Sequence, residues 1–137
     1  MLKEFKVDTE NLKLKLFFDE KDLIKLYGLG HAIGLHSHNH PTKIENLPYS
    51  KQKLEYSTNL DSLSKILKKN SNFIKFSSHP CGSYNKNSLK VLKELGIDIA
   101  FKDSMTVDYE MGMNSINNSS LEIARQDHIE IVKMMKK

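Results

Sequence analysis

Hydrophobic and polar positions along the chain switch repeatedly between period two and period 3.6. Leu12 to Phe18, "LKLKLFF", alternates apolar residues with lysine and reads as a strand. Asp19 stands at an N-cap position for "EKDLIKLYGLG", a helix with Leu23, Leu26 and Tyr27 on one face and Gly28 and Gly30 at its end. "HAIGLH", His31 to His36, is a short apolar strand, and Pro41 stops it. The longest helix runs from Pro48 to Asn70 and starts near Ser50; its Tyr56, Leu60, Leu63 and Leu67 fall at helical spacing. "NFIKFSS", Asn72 to Ser78, is a strand entering the loop "HPCGSYNKN". A helix carrying Leu89, Leu92 and Leu95 follows, closed by Gly96 in the C′ place, and then the strand "IDIAF". From Lys102 to Ser120 the chain is polar and without period. "LEIARQ" resumes as a strand, and Asp127 caps a last helix through Met135.

Strands alternating with helices imply parallel pairing through right-handed crossovers, hence an α/β layered or barrel-like fold, with residues 1–137 as one domain. In such folds function gathers at the carboxyl ends of the strands. Three segments follow expected strands: His36 to His40, His79 to Tyr84, and Arg125 to His128. Their coincidence points to one site.

Composition narrows the classes. The 137 residues are 39% hydrophobic and 28% charged, ordinary for a globular protein. No apolar run approaches a membrane span, and the N-terminus meets polar residues too early for a secretory signal. The expectation is a cytoplasmic protein without membrane contact. The single cysteine, Cys81, excludes an internal disulfide. A net charge of +4 suggests nucleic acid, but Arg125 is the only arginine, and arginine is the residue that grips phosphates and bases bidentately. With eleven asparagines beside scattered lysines, the charge reflects composition rather than a nucleic-acid face.

Four of the six histidines, His31, His36, His38 and His40, sit in "GHAIGLHSHNHP". Two imidazoles bind one Zn²⁺ only if both converge. On a straight strand His36 and His40 lie roughly 13 Å apart, and on a helix roughly 6 Å. Pro41 disfavours helix at His40. The segment must therefore leave the strand at His36 and curl through Ser37, His38 and Asn39, bringing His36 to His40 while His38 points elsewhere. The bland alternative is a solvated histidine-rich loop. His31, at a helix-to-strand junction, reads as a packing or C-cap residue.

These residues resemble the second motif of the polysaccharide deacetylase (NodB-like) family, in which His-Ser/Thr-x-x-His supplies two metal ligands. The pattern matches His36, Ser37 and His40, with the usual proline at Pro41. "FSSHPCGSYNKNSLKVLKELGIDIAF" resembles the family's Pro-aromatic-Gly groove loop and the helix after it, and "LEIARQD" resembles a late strand of the form Leu-x-Ile-Pro-Arg-x-Asp. The resemblance implies a distorted (β/α) barrel of the deacetylase type and metal-dependent removal of acetyl groups from a carbohydrate. A divalent ion, Zn²⁺ by default, would sit on His36 and His40. His79, Pro80, Gly82 and Tyr84 would face substrate, and Arg125, Asp127 and His128 would do catalytic work.

The family's early strand ends in Thr-Phe-Asp-Asp, which carries the base and a third ligand. Only 35 residues precede His36 and no Asp-Asp pair occurs among them. "FFDE", Phe17 to Glu20, matches superficially, and helix capping explains Asp19 better. The expectation is a barrel incomplete at its N-terminus, its acid machinery absent or supplied by an oligomer or a missing segment. Cys81 stands where the family has an aromatic residue and reads as a small loop residue rather than a nucleophile. Two other functions compete: a non-catalytic remnant that binds sugar or a partner chain, and an amidohydrolase-like metal site using His36 and His38 as His-x-His.

Overall fold

The computed structural model describes residues 18–103, 119–125, 131, 132 and 135, and divides between Ala32 and Ile33 into two compact units. In the first unit, Asp19 Oδ1 accepts from the Asp22 backbone N–H at 2.9 Å, and the Asp22 carboxylate accepts from the Asp19 N–H at 3.2 Å. This reciprocal capping box opens helix α1, Glu20–Gly28. Gly30, at φ 89°, closes it: Gly30 N–H donates to Tyr27 O at 3.0 Å and His31 N–H to Leu26 O at 3.1 Å. His31 is thus a capping position, and its exposed side chain has no packing role. The expected strand from Leu12 lies outside the described residues except for exposed Phe18.

The second unit holds α2 (Tyr49–Leu67), β1 (Phe76–Ser78), α3 (Lys86–Glu94) and β2 (Ile99–Phe101). The strands pair in parallel, with Phe76 opposite Ile99 and Ser78 opposite Phe101. Leu35 bridges to Ser77 on one side and Ile123 to Phe101 on the other, both in parallel. Spatial order therefore follows chain order, Leu35, β1, β2, Ile123, with a helix between the first three. Such single winding is the signature of a barrel; a doubly wound sheet reverses direction partway. All four segments deliver their following loops to one end.

The strands are shorter than the apolar runs suggested, for local reasons. In "HAIGLH" only Leu35 joins the ladder, donating to Phe76 O at 2.8 Å and accepting from Ser78 N–H at 2.9 Å. The next donor, His36 N–H, turns to Asn59 Oδ1 on α2 at 3.0 Å, and the strand ends there. Gly34 permits the approach, since a Cβ would lie 2.9 Å from Phe76 O. The first half of "NFIKFSS" is a 3₁₀ turn, Ser71–Phe73. In "LEIARQ" only Ile123 bridges within the described residues.

The core lies between the sheet and the two long helices: Tyr56, Leu60, Val91, Leu92, Leu35 and Ala100 are all buried. Burying each large apolar side chain contributes about 1.5–3 kcal/mol before chain entropy is counted. The α2 stripe continues backward to Gln52, fully buried and satisfied: its Nε2 donates to Leu47 O at 2.8 Å, and its Oε1 accepts from Ser88 Oγ at 2.6 Å. Gln52 thereby ties α2 to the first turn of α3.

Two substitutions check this account. Lys68 closes α2 in the left-handed region at φ 52°, a geometry that costs a non-glycine residue about 1–2 kcal/mol. Lys68→Gly should raise stability by about 0.5–1 kcal/mol in urea denaturation, after glycine's greater freedom in the unfolded chain is offset; a loss would refute the strain. Tyr56 Oη is buried with no hydrogen-bond partner among the described residues. Tyr56→Phe should therefore stabilise by about 1 kcal/mol, and a drop in melting temperature would reveal an unrecognised partner.

Candidate metal centre

After Leu35 the chain folds back within five residues. Ser37 and His40 both adopt left-handed backbone, at φ 63° and 52°, and each costs about 1–2 kcal/mol unless compensated. Compensation comes from α2. Glu55 Oε2 accepts from the backbone N–H of His38 at 3.1 Å and of Asn39 at 2.8 Å, and its Oε1 accepts from Asn39 Nδ2 at 2.8 Å. Partial burial opposes ionisation of Glu55, but these donors outweigh it and hold the carboxyl below the usual carboxylate range. Asn59, one helical turn further on, holds His36 N–H.

The outcome is convergence of two imidazoles. His36 Nε2 and His40 Nε2 lie 3.1 Å apart, with ring centroids at 4.8 Å and planes tilted by 56°. His36 Nδ1 lies 2.8 Å from Ser78 O, which can only accept. Nδ1 therefore donates to that carbonyl, which leaves Nε2 as the ring nitrogen turned toward His40. Nitrogens sharing one tetrahedral zinc at its usual bond length sit about 3.3 Å apart, so this pair fits such an ion with minimal adjustment. A backbone carbonyl behind the ligand ring is also the usual means of fixing its tautomer. Both histidines are exposed. Among the described residues no group of three His, Cys, Asp or Glu side chains could hold a metal. His36 is paired with His40, and the backbone N–H of His38 is taken by Glu55.

The loop after β1 forms a second wall. His79, 1% exposed, donates from Nε2 to Leu121 O at 2.9 Å and stacks on Tyr84 at 4.2 Å. Tyr84 Oη in turn donates to Glu122 Oε1 at 3.1 Å; burial and that bond push its phenol up to about 12. His79 and Pro80 are buried and so support the wall from inside rather than face a substrate. Gly82 and Tyr84 are partly exposed. Gly82 sits at φ 65°, a backbone conformation that favours glycine, and a Cβ there would displace the Asp103 carboxylate. Cys81 is an exposed loop residue. Exposed Arg125 places Nη1 3.4 Å from Ser78 Oγ, on the residue whose carbonyl holds His36. Asp127 and His128 lie outside the described residues. Glu55 and Asn59 escaped the sequence reading; their only trace is an i, i+4 polar pair beside the Tyr56 and Leu60 stripe.

Comparison with known proteins bears on this arrangement. A family model described as polysaccharide deacetylase matches residues 5–100. Among solved structures, the chain is similar to the Streptococcus pyogenes deacetylase PplD in complex with acetate, at 22% identity and TM-score 0.67, over 80% of this chain and 45% of that one. It is similar to the BpsB deacetylase domain from Bordetella bronchiseptica at 16% identity and TM-score 0.62, over 80% of this chain and 48% of that one. A carbohydrate esterase family 4 pseudoenzyme from Bacillus anthracis is similar at 12% identity and TM-score 0.55, over 69% of this chain and 32% of that one. No curated protein sequence gives a significant match. The fold is that of these deacetylase barrels, of whose length the chain spans less than half.

The buried wall carries a pH signature. Burial holds His79 below the ordinary imidazole value of 6.5. The unfolded chain then binds this proton more tightly, so the stability from a neutral His79 is complete above about pH 6.5 and declines as pH falls toward the depressed folded value. His79→Gln keeps a donor for Leu121 and should flatten the decline in unfolding midpoint between about pH 7 and about pH 5. An unchanged slope would remove His79 as its source.

Proposed function

The chain belongs to the polysaccharide deacetylase family, and from that premise we propose that it forms the imidazole half of a metal-dependent carbohydrate deacetylase centre. One observation carries the reading: the Nε2 atoms of His36 and His40 converge to 3.1 Å while Ser78 O holds the His36 tautomer from behind. Imidazole donors suit Zn²⁺ among the biological divalent ions, with geometry rather than affinity deciding between metals. Such an ion supplies Lewis acidity to the acetyl carbonyl and acidity to a bound water.

The remaining tasks fall to side chains of the same rim. Gly82 and Tyr84 offer surface for the sugar beside the histidine pair. Arg125, whose Nη1 reaches Ser78 Oγ, would orient a carboxylate on this reading, and Asp127 is the carboxylate that follows it in sequence. On this reading His128 would supply the proton that the leaving amine requires. Deacetylation then consumes one water and yields acetate and a free amine or hydroxyl on the sugar.

A second reading has its own support. Only two ligating side chains converge among the described residues, and a protein called a pseudoenzyme shares the fold. On that reading the chain binds metal or sugar and releases no acetate.

Calorimetry with Zn²⁺ and acetate release from an N-acetylated glucosamine oligomer separate the two. The deacetylase reading expects one ion per chain, acetate release at least about a hundredfold above the His36→Ala/His40→Ala double variant, and no effect of His38→Ala. Zinc binding without acetate favours the second reading for this chain by itself. Undiminished binding by the double variant would defeat both metal assignments.

A further inference from the structure

We infer that Glu55 is the positioning residue of the metal centre, setting where His40 stands. The inference rests on the metal-site reading above and concerns what keeps the two rings together. His36 is secured independently of Glu55: its ring is bonded to Ser78 O, its backbone N–H to Asn59, and Leu35 before it lies in the ladder. His40 has no comparable anchor. Among the described residues its one ring contact is His36 itself. Its position is set by the turn through Ser37, His38 and Asn39, and that turn is held by Glu55.

Three bonds leave the Glu55 carboxylate, and all three go to His38 and Asn39, the two residues between the left-handed positions Ser37 and His40. Glu55 therefore clamps the middle of a turn whose two ends both sit in unfavourable backbone. Loss of the clamp lets Ser37 and His40 relax toward ordinary backbone, and His40 swings away from a stationary His36. Glu55 is itself fixed by α2, whose next turn carries Asn59, so one helix face sets both the ligand turn and the ligand before it. Glu55 is absent from the apolar core, so its removal spares the packing between α2 and α3. The carboxylate acts through the turn and touches neither imidazole.

Geometry and charge can be separated with a conservative variant. In Glu55→Gln the side-chain oxygen keeps the two backbone N–H groups, and the new amide donates to Asn39 once that side chain flips to offer its oxygen. Zinc affinity of the full chain, measured by calorimetry, should fall about ten- to a hundredfold in Glu55→Ala and recover to within about threefold in Glu55→Gln. The visible spectrum of the Co²⁺-loaded chain should change in Glu55→Ala and match the parent in Glu55→Gln, a signature that lost stability alone would not produce. Equal losses in both variants would show that charge rather than positioning matters, and overturn the inference. So would an unchanged affinity in Glu55→Ala while the His36→Ala/His40→Ala variant binds nothing. If instead the double histidine variant binds zinc normally, the metal reading itself has failed. Thermal unfolding of the metal-free variants verifies folding; should Glu55→Ala be unfolded, Asn39→Ala, which removes one of the three bonds, should weaken zinc binding by a smaller factor, and parent affinity there would equally overturn the inference.

Discussion

The hydrogen bond from His36 Nδ1 to the carbonyl of Ser78 couples the barrel to its chemistry. It joins the residue after the first bridged segment to the last residue of β1, so the parallel register of the sheet determines where the His36 ring stands. It also makes Nδ1 the donating nitrogen of that ring, since a carbonyl accepts and never donates. A one-residue slip in the pairing of Leu35 with Ser77 would move the carbonyl out of reach and turn alternate side chains to the other face. The ladder here is a single bridge, and the glycine before it is what lets the two backbones meet that closely.

Rigid and irregular parts divide the labour. Helix α2 is buried along Gln52, Tyr56 and Leu60, while the flank of the same helix presents Glu55 and Asn59 to the ligand turn. One element thus packs the core and shapes the site, and the turn inherits the helix's rigidity. The opposite wall follows the same logic with different chemistry. His79 is sequestered, stacked on Tyr84 and bonded to Leu121, so the segment around Glu122 is stitched to the loop after β1. Buried polar groups are costly unless paired, and nearly every such group near the site is paired across different segments. Ser37 Oγ and His79 Nδ1 have no hydrogen-bond partner among the described residues.

Much of the fold was legible along the chain because its signals are local. Asp19 and Gly30 bracket α1, and Gly96 closes α3 in the left-handed place, since capping depends only on a few neighbouring residues. Tyr56, Leu60, Leu89 and Leu92 were legible as inward-facing because helical periodicity repeats within the segment itself. Strand lengths were not. The run "HAIGLH" is apolar enough for a full strand, yet Asn59 takes the backbone donor of His36 from twenty-three positions away and ends the ladder. Gln52 was equally opaque, since a glutamine in a helix reads as solvent-facing until Ser88 and Leu47 are seen around it.

The sequence alone determined which residues could meet an ion. If His36 and His40 share one ion, their spacing argues against a straight strand and Pro41 disfavours a helix, which leaves a turn. It determined equally that strands and helices alternate and that the histidines follow a strand. Tertiary structure decided how the turn is held. Glu55, Asn59 and Ser78 come from elements with no sequence proximity to the histidines, and hydrogen bonding across such separations leaves no periodicity or motif to read. It also decided that His79 faces inward, because burial depends on what the next chain segment, at Leu121, lays over it.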